Sequence, residues 1–330
     1  MHKMQNPIDK MFFLGFIAGL WVGFGGIAGK FLTSRTIYLT RICLLGTMLA
    51  GGIPVEVRQQ WPTLPKLGLA LVFPFALHFI LLFGGELFTG NCMILTIGLW
   101  NRSIPISRAL INLLIVWTGN FLGCLTCAVL FSYETELFSQ EPYLSFVRDL
   151  AYTKAKGHSW VNIFLRAIPA NTLVCMAVIL GFAARDSAGK IMALWFPVVM
   201  FVIPGFEHAV ANMFFISNGL LYGSPITIGW LFFNQSAAIL GNFIGGAIVM
   251  GSSEHAMNHW KSPIPFERGH AAGTLAAGDV ESTRKAKEHR SADEKRVMKN
   301  LVFRPRSQTM SRLEDAHLQN PAMHHTTTIQ

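Results

Sequence analysis

Charge is scarce in this chain. Asp, Glu, Lys and Arg make up only 14% of its 330 residues, while hydrophobic residues make up 52%. That balance leaves too little polar surface for an ordinary soluble domain and fits a chain that lies in lipid. Cysteine supplies no disulfide framework: Cys43, Cys92, Cys124, Cys127 and Cys175 all lie in apolar runs, where the thiol behaves as a small hydrophobe. The Cys124-x-x-Cys127 pair lacks the polar neighbours that redox or metal chemistry needs. No nucleic-acid-binding motif and no folded basic domain accompany the formal charge of +9, so nucleic acid is not expected as a partner. No small-residue cleavage pattern follows the first apolar run, which is therefore expected to remain as a membrane anchor.

What is present is a repeat. Glu86-Leu-Phe-Thr-Gly-Asn91 and Glu207-His-Ala-Val-Ala-Asn212 each set an acid five residues before an asparagine inside a long apolar segment. Each is followed by a matching word, Gly119-Asn-Phe-Leu-Gly123 and Gly241-Asn-Phe-Ile-Gly245. Six segments are apolar enough to span a bilayer: Met11 to Gly29, Leu67 to Trp100, Ala109 to Phe131, Trp160 to Ala183, Ile191 to Asn218 and Thr227 to Gly251. The second and fifth are too long for a simple span and each holds one acid motif. They read as broken helices, with Gly84-Gly85 and Gly90 interrupting one and Pro204-Gly205 the other, a device tolerated at membrane depth only where it is buried in protein or lines a cavity.

Lys and Arg in the connections 101 to 108 and 185 to 190, and in the tail, place those regions and both termini in the cytoplasm; the loop Ser132 to Ser159, which begins with three glutamates, falls on the opposite side. An integral, multi-pass protein of the plasma membrane is expected. Residues 30 to 50 break the charge rule with Lys30, Arg35 and Arg41. They read either as a short surface helix or lengthened loop, or as an unspliced in-frame intron, since near-identical words flank them and their deletion restores the rule. Residues 1 to 251 thus form the transmembrane domain and 252 to 330 a tail too poor in large apolar residues to fold alone, whose basic clusters suit anionic lipid.

Ionisable groups within spans are costly enough to point to function. Glu86, Arg166, Glu207 and His208 are the principal ones, with His78 as a fifth. Glu86 and Glu207 are expected to hold the broken ends together by accepting backbone N–H groups, with direct contact to substrate as the alternative. His208 sits at the break itself, can change charge near neutral pH, and has Leu87, next to Thr89, as its counterpart in the first copy. The half-helix N-termini aim partial positive charge at one centre, which favours an anion.

The words GELFTGN at 85 to 91, NTLVCMAV at 171 to 178, GFEHAVANMF at 205 to 214 and GNFIGG at 241 to 246 resemble the formate/nitrite transporter family over roughly residues 7 to 260. The resemblance implies an all-α membrane protein, an aquaporin-like six-span bundle of two inverted three-span repeats with broken second and fifth helices, assembled as a homopentamer with one substrate path per protomer. It implies no enzyme activity and no cofactor. By residue, it implies His208 as the central pore histidine, Thr89 as its partner, Asn171 and Glu207 beside them, Leu87 and Phe88 as one constriction, and Phe73, Leu77 and Phe201 as the other. Lys10 resembles a vestibule lysine that attracts anions. The second such lysine falls at Ala155, between Lys154 and Lys156, and Lys156 is taken for it. Arg166 and Pro169 depart from the family pattern.

The function so implied is proton-coupled movement of a small monovalent anion, nitrite or formate first, with acetate or lactate as the alternative. A neutral-solute channel lacks its Asn-Pro-Ala words here. A membrane metalloenzyme would have only His255 and His259 at helical spacing, without an acid cluster.

Overall fold

The computed structural model describes residues 6–27 and 47–259, which fall within one compact unit of residues 1–261. Most of the anomalous insert, Cys43, and nearly all of the tail lie outside the described residues. Every described element is helical. In chain order they are α1 (Ile8–Ile27), α2 (Thr47–Gly51), α3 (Val55–Gln60), α4 (Thr63–Val72), α5 (Pro74–Phe83), α6 (Phe88–Trp100), α7 (Ile106–Thr126), α8 (Tyr143–Lys156), α9 (Trp160–Ala183), α10 (Ser187–Val202), α11 (Ala209–Leu221), α12 (Ile228–Phe243) and α13 (Ser253–His259). Two of them, α7 and α12, run on into π-helical turns at Cys127–Tyr133 and Ile244–Ser252.

Among the described residues, five helical stretches are long and apolar enough to cross a membrane: Ile8–Gly26, Thr63–Phe83, Ile106–Tyr133, Trp160–Ala183 and Ile228–His259. The shorter apolar helices α6, α10 and α11 complete the bundle. The helices stop and restart at two places, and Gly90, expected to help interrupt the first, lies inside α6 instead. After Phe83 the chain turns at Gly84, whose φ of 80° is the left-handed conformation that a residue with Cβ rarely adopts, and α6 restarts at Phe88. After Val202 the chain turns at Gly205, with φ 72°, and α11 restarts at Ala209. The residues just before the restarts, Leu87 (φ −112°, ψ 123°) and His208 (φ −107°, ψ 116°), have nearly the same extended backbone.

The repeated glycine–asparagine word has a packing reason. A Cβ on Gly119 would lie 2.8 Å from the carbonyl oxygen of Phe12, and one on Gly245 would run into the carbonyl of Ile168. Glycine therefore lets α7 meet α1, and α12 meet α9, backbone to backbone, as small residues do at helix crossings in lipid. Asn120 and Asn242 are carried on those close-packed helices to the two breaks.

One expectation is corrected. The stretch 132 to 159, read as a polar loop, contains the 14-residue helix α8. Its buried face is Val147, Ala151 and Ala155, spaced four apart, with Ala151 and Ala155 packed in a cluster with Ile216 and Leu231. The helix is amphipathic and too short to span, so a search for long apolar runs passes over it.

Candidate functional site

Each break is held by a set of amide hydrogen bonds, and the two sets match. In the first, Asn120 Oδ1 accepts from the Phe88 N–H (2.9 Å), while its Nδ2 donates to the carbonyls of Gly15 (2.8 Å) and Glu86 (2.9 Å). In the second, Asn242 Oδ1 accepts from the Ala209 N–H (2.8 Å), and its Nδ2 donates to the carbonyls of Ala167 (2.7 Å) and Glu207 (3.0 Å). Each asparagine thereby partners an N–H and a C=O freed by its own interruption and ties them to a carbonyl of a neighbouring unbroken helix.

The acids follow the same plan, with a different detail from the expected one. Glu86 Oε2 accepts from Asn91 Nδ2 at 2.7 Å, and Glu207 Oε2 from Asn212 Nδ2 at 2.7 Å; the same asparagines also donate to Asn112 Oδ1 (2.8 Å) and Asn234 Oδ1 (2.9 Å). The carboxylates therefore bind side-chain amides, because the backbone N–H groups of Phe88 and Ala209 are already taken by Asn120 and Asn242. Asn112 and Asn234 are partners that sequence reasoning missed. Their signal was there, since each lies eight residues before the glycine-flanked asparagine of its repeat.

The second break is charged. Lys154 Nζ of α8 pairs with Glu207 Oε1 at 2.8 Å and also donates to the carbonyls of Gly205 (3.1 Å) and Phe206 (3.3 Å). Arg166 of α9 donates from Nη2 to the carbonyls of Pro204 (3.1 Å) and Gly205 (2.9 Å). The guanidinium, carried on α9, is thus anchored on the carbonyls that follow α10.

His208 lies between the two breaks. The Ala211 N–H donates to His208 Nδ1 at 3.1 Å, capping α11, so that nitrogen holds a lone pair and the ring proton is on Nε2. Nε2 meets Thr89 Oγ1 at 3.0 Å, and both residues are buried. Asn171 Nδ2 ties the site together by donating to the carbonyls of Thr89 (3.0 Å) and Asn242 (2.6 Å).

Phe201 stacks on the imidazole with ring centres 5.7 Å apart, and Phe73 meets Phe201 edge-on at 6.3 Å. A cavity of about 280 Å³ reaches from Lys66, Lys154, His158 and Arg166 down to Phe73, Phe201 and His208. A void of only about 20 Å³, lined by Leu77, Leu87, Phe73, Phe201 and His208, continues on the other side of the phenylalanines. Phe73, Leu77, Phe201, Leu87 and His208 are therefore brought together around a constricted apolar passage. Phe88, Thr89 and Asn171 are buried beside it but line neither space.

Of the two lysines that flank Ala155, Lys154 and not Lys156 lines the 280 Å³ cavity. Lys156 is exposed, donates to the Pro225 carbonyl at 3.2 Å and lies over the rings of Trp230 and Tyr152. Lys10 falls in the first turn of α1, exposed, and lines neither space. His158, outside the spanning helices, is held below the usual imidazole range, first by partial burial and then by Arg166, with Lys154 and Lys66 adding to the effect and Glu207 opposing it. His78 bridges the carbonyls of Pro74 (2.7 Å) and Ile191 (2.9 Å) and takes no part in the passage. His255 and His259 stack 4.3 Å apart; among the described residues no three His, Cys, Asp or Glu side chains gather as a metal site.

Comparison with known proteins gives a consistent result. A family profile described as formate/nitrite transporter matches residues 1–256. A probable formate transporter of Methanothermobacter thermautotrophicus is 34% identical over 74% of this chain and 88% of its own. An uncharacterised transporter of Bacillus subtilis (strain 168) is 36% identical over 76% and 86%. Among solved structures, a pentameric formate channel with formate bound superposes with a TM-score of 0.61, covering 76% of this chain and 97% of the other at 24% identity, a likeness of fold.

Proposed function

The chain belongs to the formate/nitrite transporter family, an integral membrane family of transporters and channels rather than enzymes, and from that premise we propose that it carries formate or nitrite with a proton. The observation that supports this most is the placement of the His208 Nε2–Thr89 pair beside a passage walled by Phe73, Leu77, Phe201 and Leu87. An ion entering such a neck loses its water and gains little in return, so a bare anion stalls there. A protonated acid is neutral and crosses, then ionises again beyond.

The spans in this reading are α1, α4 to α6, α7, α9, α10 with α11, and α12, arranged as two inverted three-span repeats. The matched amide sets of Asn120 and Asn242 support that duplication. The α8-side cavity is the outer vestibule, where Lys154 draws anions inward, and Lys10 serves the opposite, cytoplasmic mouth. Thr89, Asn171, Phe88 and Glu207 act by holding His208 and the two half-helices in place. Lys156 is left out of the path. The working assembly is a homopentamer in the plasma membrane with both termini cytoplasmic.

His208 acts as a neutral N–H donor in this mechanism. Protonating Nδ1 would break the cap on Ala211 and set two N–H groups against each other, so water on the vestibule side supplies the proton and Nε2 steadies the anion as it is neutralised. Reconstitution tests the whole reading. Liposomes holding an internal pH dye should take up formate and nitrite saturably, with acidification of the lumen beyond that of protein-free vesicles, and lactate or acetate more slowly. Anion uptake without acidification would sink the coupling, and faster lactate than formate would reverse the substrate ranking.

A further inference from the structure

Arg166 is the starting point, because its position departs from what the repeat provides elsewhere. Glu207 N–H donates to the Arg166 carbonyl (3.4 Å) as Glu86 N–H donates to that of Leu14 (3.2 Å), so Leu14 is the matching residue in the first copy. One repeat therefore has an apolar residue where the other has a guanidinium. Around it the 280 Å³ cavity collects two further cations and a titratable imidazole from separate elements: Lys66 of α4, Lys154 of α8, and His158 between α8 and α9. Glu207 is the one acid that lines this space. Its carboxylate is committed to Lys154 and Asn212.

Lys66 is exposed and has no hydrogen-bond or ion-pair partner among the described residues, and Arg166, held through Nη2 by the Pro204 and Gly205 carbonyls, keeps its Nε buried without an acceptor. Arg166 and Lys66 both oppose charging of His158, which places the three within electrostatic reach of one another. The walls between them are Leu69, Leu150 and Phe206, which carry no compensating charge. A partly enclosed, apolar-walled space with unpaired positive charge concentrates anions and favours those of higher charge.

We propose that Arg166, Lys66 and His158 form an anion-holding subsite at the mouth of the cavity, above the Lys154–Glu207 pair, that prefers a doubly charged oxyanion to the monovalent ion that is transported. It rests on the transport reading, which supplies the path that the subsite guards. A dianion held there cannot follow the transported ion, because one proton leaves it charged at the Phe73–Phe201 neck. It therefore acts as a competitive blocker. Substrates reach the neck only from a mouth in which they compete with such ions.

Sulfate is a suitable probe, since its charge is constant over the working pH range. Formate uptake into proteoliposomes is measured with sulfate on both faces at constant ionic strength. Wild-type protein should show competitive inhibition, a raised KM with unchanged maximal rate, that strengthens as pH falls and His158 gains its proton against Lys66, Lys154 and Arg166. Lys66→Met removes a charge with no structural partner and should weaken the inhibition constant by about threefold to tenfold, the range for losing one nearby charge in a partly screened site. Arg166→Lys keeps a cation for the Pro204 and Gly205 carbonyls but loses the fork, and should weaken it as well. Inhibition that is absent, or unchanged in both variants, overturns the subsite. Should no formate flux occur at all, sulfate-induced thermal stabilisation of the detergent-solubilised protein decides separately: loss of that shift in Lys66→Met supports the subsite, and no shift in the wild type ends it.

Discussion

Proteoliposomes carrying His208→Asn are expected to move formate roughly tenfold more slowly than the parent, or worse, at every pH, since the imidazole steadies the anion and does not supply the proton. The substitution separates two duties of the imidazole. Asparagine is a good N-cap, so its side-chain oxygen can still accept from the Ala211 N–H and α11 still begins at Ala209. It is too short to reach Thr89 Oγ1, which now lies 3.0 Å from Nε2. One hydrogen bond at the barrier, worth about 1.4 kcal/mol or more in a dry site, corresponds to that tenfold change. Size-exclusion and melting profiles close to those of the parent would show that the loss lies in the passage. A wild-type rate in this variant would remove His208 from the mechanism.

Asn242→Ala should damage the fold rather than the passage. It orphans the Ala209 N–H and the Glu207 carbonyl, both among buried residues, and removes a second donor from the Ala167 carbonyl inside α9. At about 1–3 kcal/mol for each unsatisfied group, the cost is about 2–6 kcal/mol, a large part of a protein's net stability. Asn242→Asp sharpens the test, because an ionised aspartate keeps the acceptor for Ala209 but turns its second oxygen on the carbonyls of Ala167 and Glu207 in a buried site. It should melt no higher than the alanine variant. Parental melting temperatures for both variants would show that the break is held by something other than this amide.

The turns at Gly84 and Gly205 were foreshadowed because the features around them are unusual in lipid: glycine within two residues of an acid, and an asparagine five residues beyond that acid, in each half. His208 stood out by position, as the polar member of a pair whose other member is Leu87. Helix α8 and its lysine were not legible in the same way. Lys154 and Lys156 sit on either side of Ala155, about 100° of helix turn to each flank of the buried face, so spacing alone cannot say which one points at the Gly205–Glu207 carbonyls. That choice depends on where α10 ends, some 50 residues later in the chain. The roles of Asn112 and Asn234 were hidden for a similar reason. A lone amide in an apolar run reveals its partner only when two helices are brought side by side.

The π-helical turns that end α7 and α12 begin seven and two residues after the asparagines that hold the breaks. A π turn holds about one more residue than an α turn, so these segments store surplus chain downstream of the parts that must stay in phase. A one-residue deletion within 244–252 can be absorbed by tightening wide turns into ordinary ones, leaving Asn234 and Asn242 on the same side of the helix and the folded protein recoverable by gel filtration. The same deletion between Gln235 and Gly241 swings Asn242 by about 100° relative to Asn234, out of reach of the Ala209 N–H, and should leave no folded protein. Tolerance of length change in this chain is therefore set by a phase relation between two amides, and the slack that protects it lies on one side of them only.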